Sequence, residues 1–147
     1  MTMSTARLIF DDKKRVGQWV ADQVEYLAEW GGYYAMGVEL NGEIVSGTVI
    51  QSWTDTNVVS YFAVARPTKL LPALFDHTVF YTFAQLGVRR MTAFVSADNE
   101  KSMRLTSHIG FVTEGVMREA QDNGADLCVR VLWPENYTRS RRHGQKE

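Results

Sequence analysis

Asn41-Gly42 stands between two runs rich in β-branched and aromatic residues, Tyr33–Leu40 and Glu43–Trp53. Both turn residues accept a positive φ, which a two-residue hairpin needs if its twist is to match that of its strands. A hairpin here commits the middle of the chain to antiparallel sheet, and the remaining segments must be arranged around it. Asp55-Thr56-Asn57 supplies the next turn, and Val58–Ala65 extends the hairpin into a meander.

Helical patterns flank the meander on both sides. From Asp11 or Asp12 the apolar residues Val16, Trp19, Val20, Val24 and Leu27 recur at helical spacing, and Gly31-Gly32 ends the run. Arg7–Phe10, just before it, reads as a short strand. Pro67 breaks the meander. Pro72 suits the first turn of a helix reaching about Leu86, with Leu71, Leu74, Phe75, Val79 and Phe83 as its apolar stripe and Gly87 as its stop. Arg90–Ser96 alternates as a strand. Asp98 or Asn99 caps a short helix to about His108, and Gly110 ends it. Phe111–Met117 and Leu127–Trp133 are the last strands, joined through Asp122-Asn123-Gly124. The order β-α-β-β-β-α-β-α-β-β predicts a mixed α+β domain, mostly antiparallel, with one parallel pair from a βαβ crossover and helices on both faces.

Composition agrees with one such domain. The 147 residues are 45% apolar and 12% aromatic, enough to fill a core and too much for intrinsic disorder. Residues 1–137 read as a single domain. Thr138–Glu147 is basic and free of apolar residues, so it reads as a frayed terminus or as a contact to an anionic partner. The net charge of −1 gives no support to non-specific duplex DNA binding, which needs surplus positive charge. No apolar run is long enough to span a membrane, and the first residues are too acidic for a signal peptide. The single cysteine, Cys128, excludes an internal disulfide and a cysteine-based zinc site and fits a reducing cytoplasm.

Two local stretches carry more. The first runs Leu86-Gly87-Val88-Arg89-Arg90-Met91-Thr92-Ala93-Phe94-Val95, then Asn99-Glu100-Lys101-Ser102-Met103-Arg104-Leu105, then Ile109-Gly110-Phe111. The second is Phe111-Val112-Thr113-Glu114-Gly115-Val116-Met117-Arg118-Glu119-Ala120. In order and spacing they resemble the GNAT superfamily of N-acetyltransferases. The second is similar to the Phe-x-x-Glu-Gly-x-x-Arg strand of its ribosomal-protein and antibiotic acetyltransferase branches, and small phage-encoded GNAT-like proteins share the wording. The resemblance implies direct attack of an amine on the thioester of acetyl-CoA. It also implies that the strand Val58–Ala65 splays from its parallel neighbour, so that backbone groups of Phe62, Ala63 and Val64 pair with the pantetheine arm. Asn99 would hydrogen-bond the pantetheine or a neighbouring water, or serve simply as a helix cap. Arg104 joins the cofactor-binding set.

One segment departs from the family. A glycine-bearing loop between this strand and its helix usually cradles the CoA pyrophosphate with bare amides. Here the segment is Val64-Ala65-Arg66-Pro67-Thr68-Lys69-Leu70-Leu71-Pro72, with Lys69 and Leu71 at the glycine positions and two prolines lacking an N–H. Two readings follow: Arg66, Thr68 and Lys69 hold the phosphates by side chains, or the fold has lost normal CoA use.

Residues for the chemistry are less well marked. Where many relatives carry a tyrosine acid, spacing places Thr106. Ser102 is the hydroxyl closest to a donor position of some branches, and a plain helix-surface serine is its other reading. His108 and His77 are candidate general bases, because an imidazole side chain in general suits that role, or are simply surface histidines. Glu119 either relays a proton from the acceptor amine or is a strand-end charge. Trp30, Tyr33, Tyr34, Trp53 and Tyr61 line an acceptor groove or belong to the core. The expectation is therefore a cytoplasmic acetyltransferase using acetyl-CoA, with a protein N-terminus, a small amine or a modified base as acceptor. No metal is expected. The resemblance also implies a possible homodimer through Leu127–Trp133. The competing expectation is a non-catalytic GNAT-fold binding or phage structural protein.

Overall fold

A computed structural model describes residues 5–24 and 29–139. The strands are β1 (Ala6–Ile9), β2 (Tyr33–Leu40), β3 (Glu43–Gln51), β4 (Asn57–Val64), β5 (Arg90–Ser96), β6 (Val112–Met117) and β7 (Leu127–Leu132), and the helices α1 (Lys13–Val24), α2 (Leu71–Phe80) and α3 (Glu100–Ile109). One sheet holds all seven strands in the order β1-β2-β3-β4-β5-β7-β6. Every neighbouring pair is antiparallel except β4–β5. The hairpin forms at Asn41-Gly42, both with positive φ (52° and 87°).

Helices cover both faces of the first half of the sheet. On one face Val16 and Val20 of α1 pack with Ile9, Ala35, Ile44, Val49 and Ala63. Gly47 in β3 permits this approach, because a Cβ there would stand 2.8 Å from Val20 Cγ2. On the other face α2 and α3 bring Leu74, Phe75, Val79 and Ile109 onto Met36, Val38, Ile50, Val58 and Met91. Most of these side chains are under a tenth exposed, so this layer supplies the main hydrophobic stabilisation.

Three element ends differ from the sequence pattern. Among the described residues α1 stops at Val24, and Leu27 lies outside them. β3 ends at Gln51 because Ser52 adopts φ 54°, which carries Trp53 off the sheet. The helix begun at Leu71 continues over Tyr81–Gln85 with π geometry, closed by Leu86 N–H donating to Tyr81 O at 2.9 Å. The Thr78 and Thr82 hydroxyls bond back to Leu74 O and Thr78 O (2.9 and 2.8 Å), the kind of local competition that bends or widens a helix.

The chain after β7 is docked. Tyr137 donates its hydroxyl to Asp76, Arg139 grips the same carboxylate with two bonds (2.7 and 2.9 Å), and Thr138 donates to His108 O at 2.8 Å. Thr138 and Arg139, grouped with the basic tail by composition, thus belong to the packed body, and residues 140–147 lie outside the described ones. Burial, then the Asp76 carboxylate, hold the Tyr137 hydroxyl far above its ordinary pKa. Gly110 lets this strap pass, since a Cβ at its φ of 124° would run into the Asn136 carbonyl. Arg130, only 5% exposed, locks α3 down by donating to the Thr113 and Ser107 hydroxyls and to the Met103 and Phe111 carbonyls. A cation there also meets the negative end of the α3 dipole.

Candidate functional site

β4 and β5 are stapled at one end and parted at the other. Arg89 and Arg90 N–H both donate to Thr56 O (3.0 and 3.1 Å), while Asn57 Oδ1 accepts from Thr92 Oγ1 (2.7 Å) and Arg90 Nε (3.2 Å). The paired register is Asn57–Arg90, Val58–Met91 and Val59–Thr92, and it stops there. At the point of separation the Ser60 hydroxyl takes Thr92 O at 3.2 Å, so the ladder passes from backbone to side chain and then ends.

Backbone parity determines what faces the gap. Thr56 O points toward β5 and Ala65 N–H points toward β3, where it donates to Val45 O at 2.8 Å. Alternation along an extended strand then turns the polar groups of Ser60, Phe62 and Val64 to the gap and those of Tyr61 and Ala63 to β3. Ala63 sits opposite Gly47 in that ladder. The Phe62 amide and carbonyl and the Val64 amide have no protein partner among the described residues. The Phe62 ring is wedged edge-on between Phe75 and Phe111, 5.7 Å from each, which fixes the floor of the slot.

The loop that follows satisfies most of its own amides. Arg66 N–H also donates to Val45 O (3.1 Å), Leu70 N–H to Thr68 Oγ1 (3.2 Å) and Leu71 N–H to Thr68 O (3.2 Å). Thr68 is therefore part of a closed turn. The exposed Arg66 and Lys69 make no ion pair among the described residues.

α3 supplies the opposite wall. Asn99 is its cap, with Oδ1 accepting from Ser102 N–H at 3.1 Å and its side-chain amide nitrogen left free. Among the described residues the Ser102 hydroxyl has no protein partner, whereas the Thr106 hydroxyl is buried and spent on Ser102 O at 2.8 Å. Lys101 reaches over to β4 and donates to Val64 O at 3.1 Å, a contact that no local sequence signal announced. Arg104 is exposed and lies 3.8 Å from Glu100. The corner before α3 is held by Asp98, which the Ser96 hydroxyl and then the Asn123 amide keep below the usual carboxylate range.

His108 is set apart from this group, whereas Glu119 shares Asp126 with Ala97, two residues before Asn99. His108, roughly 9 Å along α3 from Ser102, lines a cavity of about 140 Å³ with Leu71, Pro72 and Leu105. Glu119 is exposed after β6, and its N–H is taken by Asp126. His77 stacks edge-on against Phe10.

The predicted aromatic group divides in two. Trp30 packs on Tyr61 at 4.9 Å and donates to Gly17 O. Tyr33, Tyr34 and Trp53 instead line an open cavity of about 510 Å³ together with Lys13 and Gln51. Gln51, which sequence reasoning missed, joins the two groups by donating to the Tyr61 hydroxyl at 3.4 Å. It also stands opposite Val59, where β4 leaves β5. Nearby, burial and the Tyr34 hydroxyl push the Tyr81 pKa up to about 12.

No family model matches this sequence, and no curated protein matches it either. Solved structures do. The spermidine/spermine N-acetyltransferase SpeG of Vibrio cholerae superposes with a TM-score of 0.70 at 13% identity, covering 93% of this chain and 97% of its own. An acetyltransferase of the GNAT family from Streptococcus pneumoniae gives 0.68 at 14%, over 88% and 99%. This is the GNAT fold. The yncA protein of Salmonella typhimurium, solved with its cofactor acetyl-CoA, gives 0.67 at 19%, over 88% and 94%. At these identities the likeness establishes the architecture, and the chemistry must be argued from the site.

Proposed function

We propose that this chain is an N-acetyltransferase that moves an acetyl group from acetyl-CoA to an amine. The observation that carries the reading is the parted β4–β5 pair, with the backbone groups of Phe62 and Val64 turned into the gap. Unpaired strand amides inside a fold are costly unless a ligand or water takes them. A pantetheine arm, itself carrying amides, is the chemical complement. The fold shared with yncA, which was solved with acetyl-CoA, supports the same reading.

In this reading the arm lies along β4 past Asn99. Arg66 and Lys69, helped by Arg104, hold the phosphates as side-chain cations, because the amides of Arg66, Leu70 and Leu71 are already bonded. The acceptor amine arrives through the cavity of Tyr33, Tyr34, Gln51 and Trp53, whose link to Tyr61 leads toward the apex of the slot. The neutral amine nitrogen attacks the thioester carbonyl, the C–S bond breaks, the thiolate takes up a proton and the amine gives one up. Ser102, whose hydroxyl is uncommitted, is the donor assigned to the thiolate, and no step is assigned to His108 or Glu119. For self-association, β7 has both edges paired, so a second copy would meet β6 or its exposed Val112, Val116 and Met117.

Calorimetric titration with acetyl-CoA tests this. The expected result is saturable binding near micromolar, about −8 kcal/mol, weakened about a hundredfold in the double variant Arg66→Ala, Lys69→Ala, followed by turnover with amine acceptors. A folded protein that binds no acetyl-CoA up to millimolar concentration would overturn it. That outcome would favour a non-catalytic binding module, in keeping with the self-satisfied loop.

A further inference from the structure

The Lys101 ammonium occupies an unusual place. It crosses from the first turn of α3 to the last residue of β4 and holds the Val64 carbonyl at 3.1 Å, across the open end of the slot. That carbonyl points into the gap by the same parity that turns the Phe62 groups there. It is therefore the acceptor that an amide N–H of a ligand lying along β4 would claim. Lys101 is exposed and has no carboxylate partner among the described residues.

We infer that Lys101 is a latch on the slot: it holds the Val64 carbonyl until a ligand amide replaces it, and its ammonium then passes to the ligand's diphosphate. This inference rests on the proposed function, since it takes the slot to be the pantetheine site. The exchange is physically balanced. A neutral amide donor to Val64 O is weaker than an ammonium, so displacement needs compensation, and an anion beside the freed ammonium supplies it. The lysine stem is long, with three donors on a rotatable end, and suits such a move. Arg66 follows Val64 by two residues, so the diphosphate that Arg66 and Lys69 approach from the loop is met by Lys101 from α3. Lys101 is thus a binding and positioning residue.

The latch makes a prediction of opposite sign for two ligands. Lys101→Met keeps the length of the stem and removes the charge, and the thermal unfolding midpoint serves as the control for folding. CoA, which carries the diphosphate, should bind Lys101→Met about tenfold more weakly than it binds the wild type. Pantetheine, which lacks phosphate, should bind about two- to threefold more tightly, because its competitor for Val64 O is gone. Lys101→Arg should restore most of the CoA affinity. If both ligands shift in the same direction, or neither shifts, the latch is wrong while the slot stands. If wild-type protein binds neither CoA nor pantetheine, the proposed function falls and the latch with it.

Discussion

Beyond Ser60 the backbone of β4 turns the polar groups of Phe62 and Val64 toward a gap, and among the described residues no strand pairs with them. In the loop immediately after it, Ala65, Arg66, Leu70 and Leu71 all donate within the protein, two of them to one carbonyl of β3. The two segments adjoin, yet the first stays open but for the Val64 carbonyl that Lys101 holds, and the second closes on itself. The difference comes from partners. A gap in a sheet strands its donors because their natural acceptors belong to a strand that has moved away. A loop bounded by Pro67 and Pro72 has fewer donors to place, and Thr68 folds back to absorb two of them. A ligand at this site would therefore be read by backbone at one end and by side chains at the other.

The sharpest way to break that contrast is to place proline at adjacent residues of β4. Ala63→Pro removes an N–H that faces β3 and should cost about 3 kcal/mol in chemical denaturation. Val64→Pro removes one that faces the gap. It should leave stability within about 1 kcal/mol of wild type while weakening CoA binding about tenfold. Equal destabilisation by the two would mean that the parity of β4 is misassigned.

Asn99 sharpens the comparison from the other wall, where one side chain caps a helix and, in the proposed function, also meets the cofactor. Asn99→Ala should lose about 1 kcal/mol of stability through the missing cap. Asn99→Asp keeps the cap, so a drop in CoA affinity at unchanged unfolding midpoint would isolate the role of the free amide nitrogen. Unchanged affinity in Asn99→Asp would reduce Asn99 to a cap.

The mildest effect is expected at the aromatic groove. Tyr81 is raised from 10.0 to about 12, by burial first and then by the Tyr34 hydroxyl. A raised pKa in the folded state means that its contribution to stability is complete below pH 10 and is lost as pH climbs toward 12. Phenolate absorbance in Tyr34→Phe should show Tyr81 titrating at lower pH than in wild type, and an unmoved titration would discard the pairing.

Much of the fold was legible because its signals act over a few residues. Asn41-Gly42 could only be a tight turn, Asn99 did cap its helix through Ser102 N–H, and Gly110 did end it. That residues 64–72 contain no glycine was likewise visible in the sequence. Other features gave no local sign. Asn57 reads as an ordinary turn residue until it is seen to clamp Arg90 and Thr92, far along the chain. Thr138 and Arg139 read as tail by composition, and only the positions of the His108 carbonyl on α3 and of Asp76 on α2 show why they are held.

The chain's local chemistry determined where the strands and helices begin and turn, how the halves of the sheet connect, and that the loop after β4 carries no glycine. Tertiary structure alone decided which β4 groups face the gap, because that parity is set by the register with β3. It also decided that Lys101 meets a carbonyl 37 residues away. Turns and caps depend on dihedral preferences and neighbours close in sequence. A slot depends on where two strands stop pairing, and the rings packed beside it, Phe62, Phe75 and Phe111, come from elements far apart in the chain.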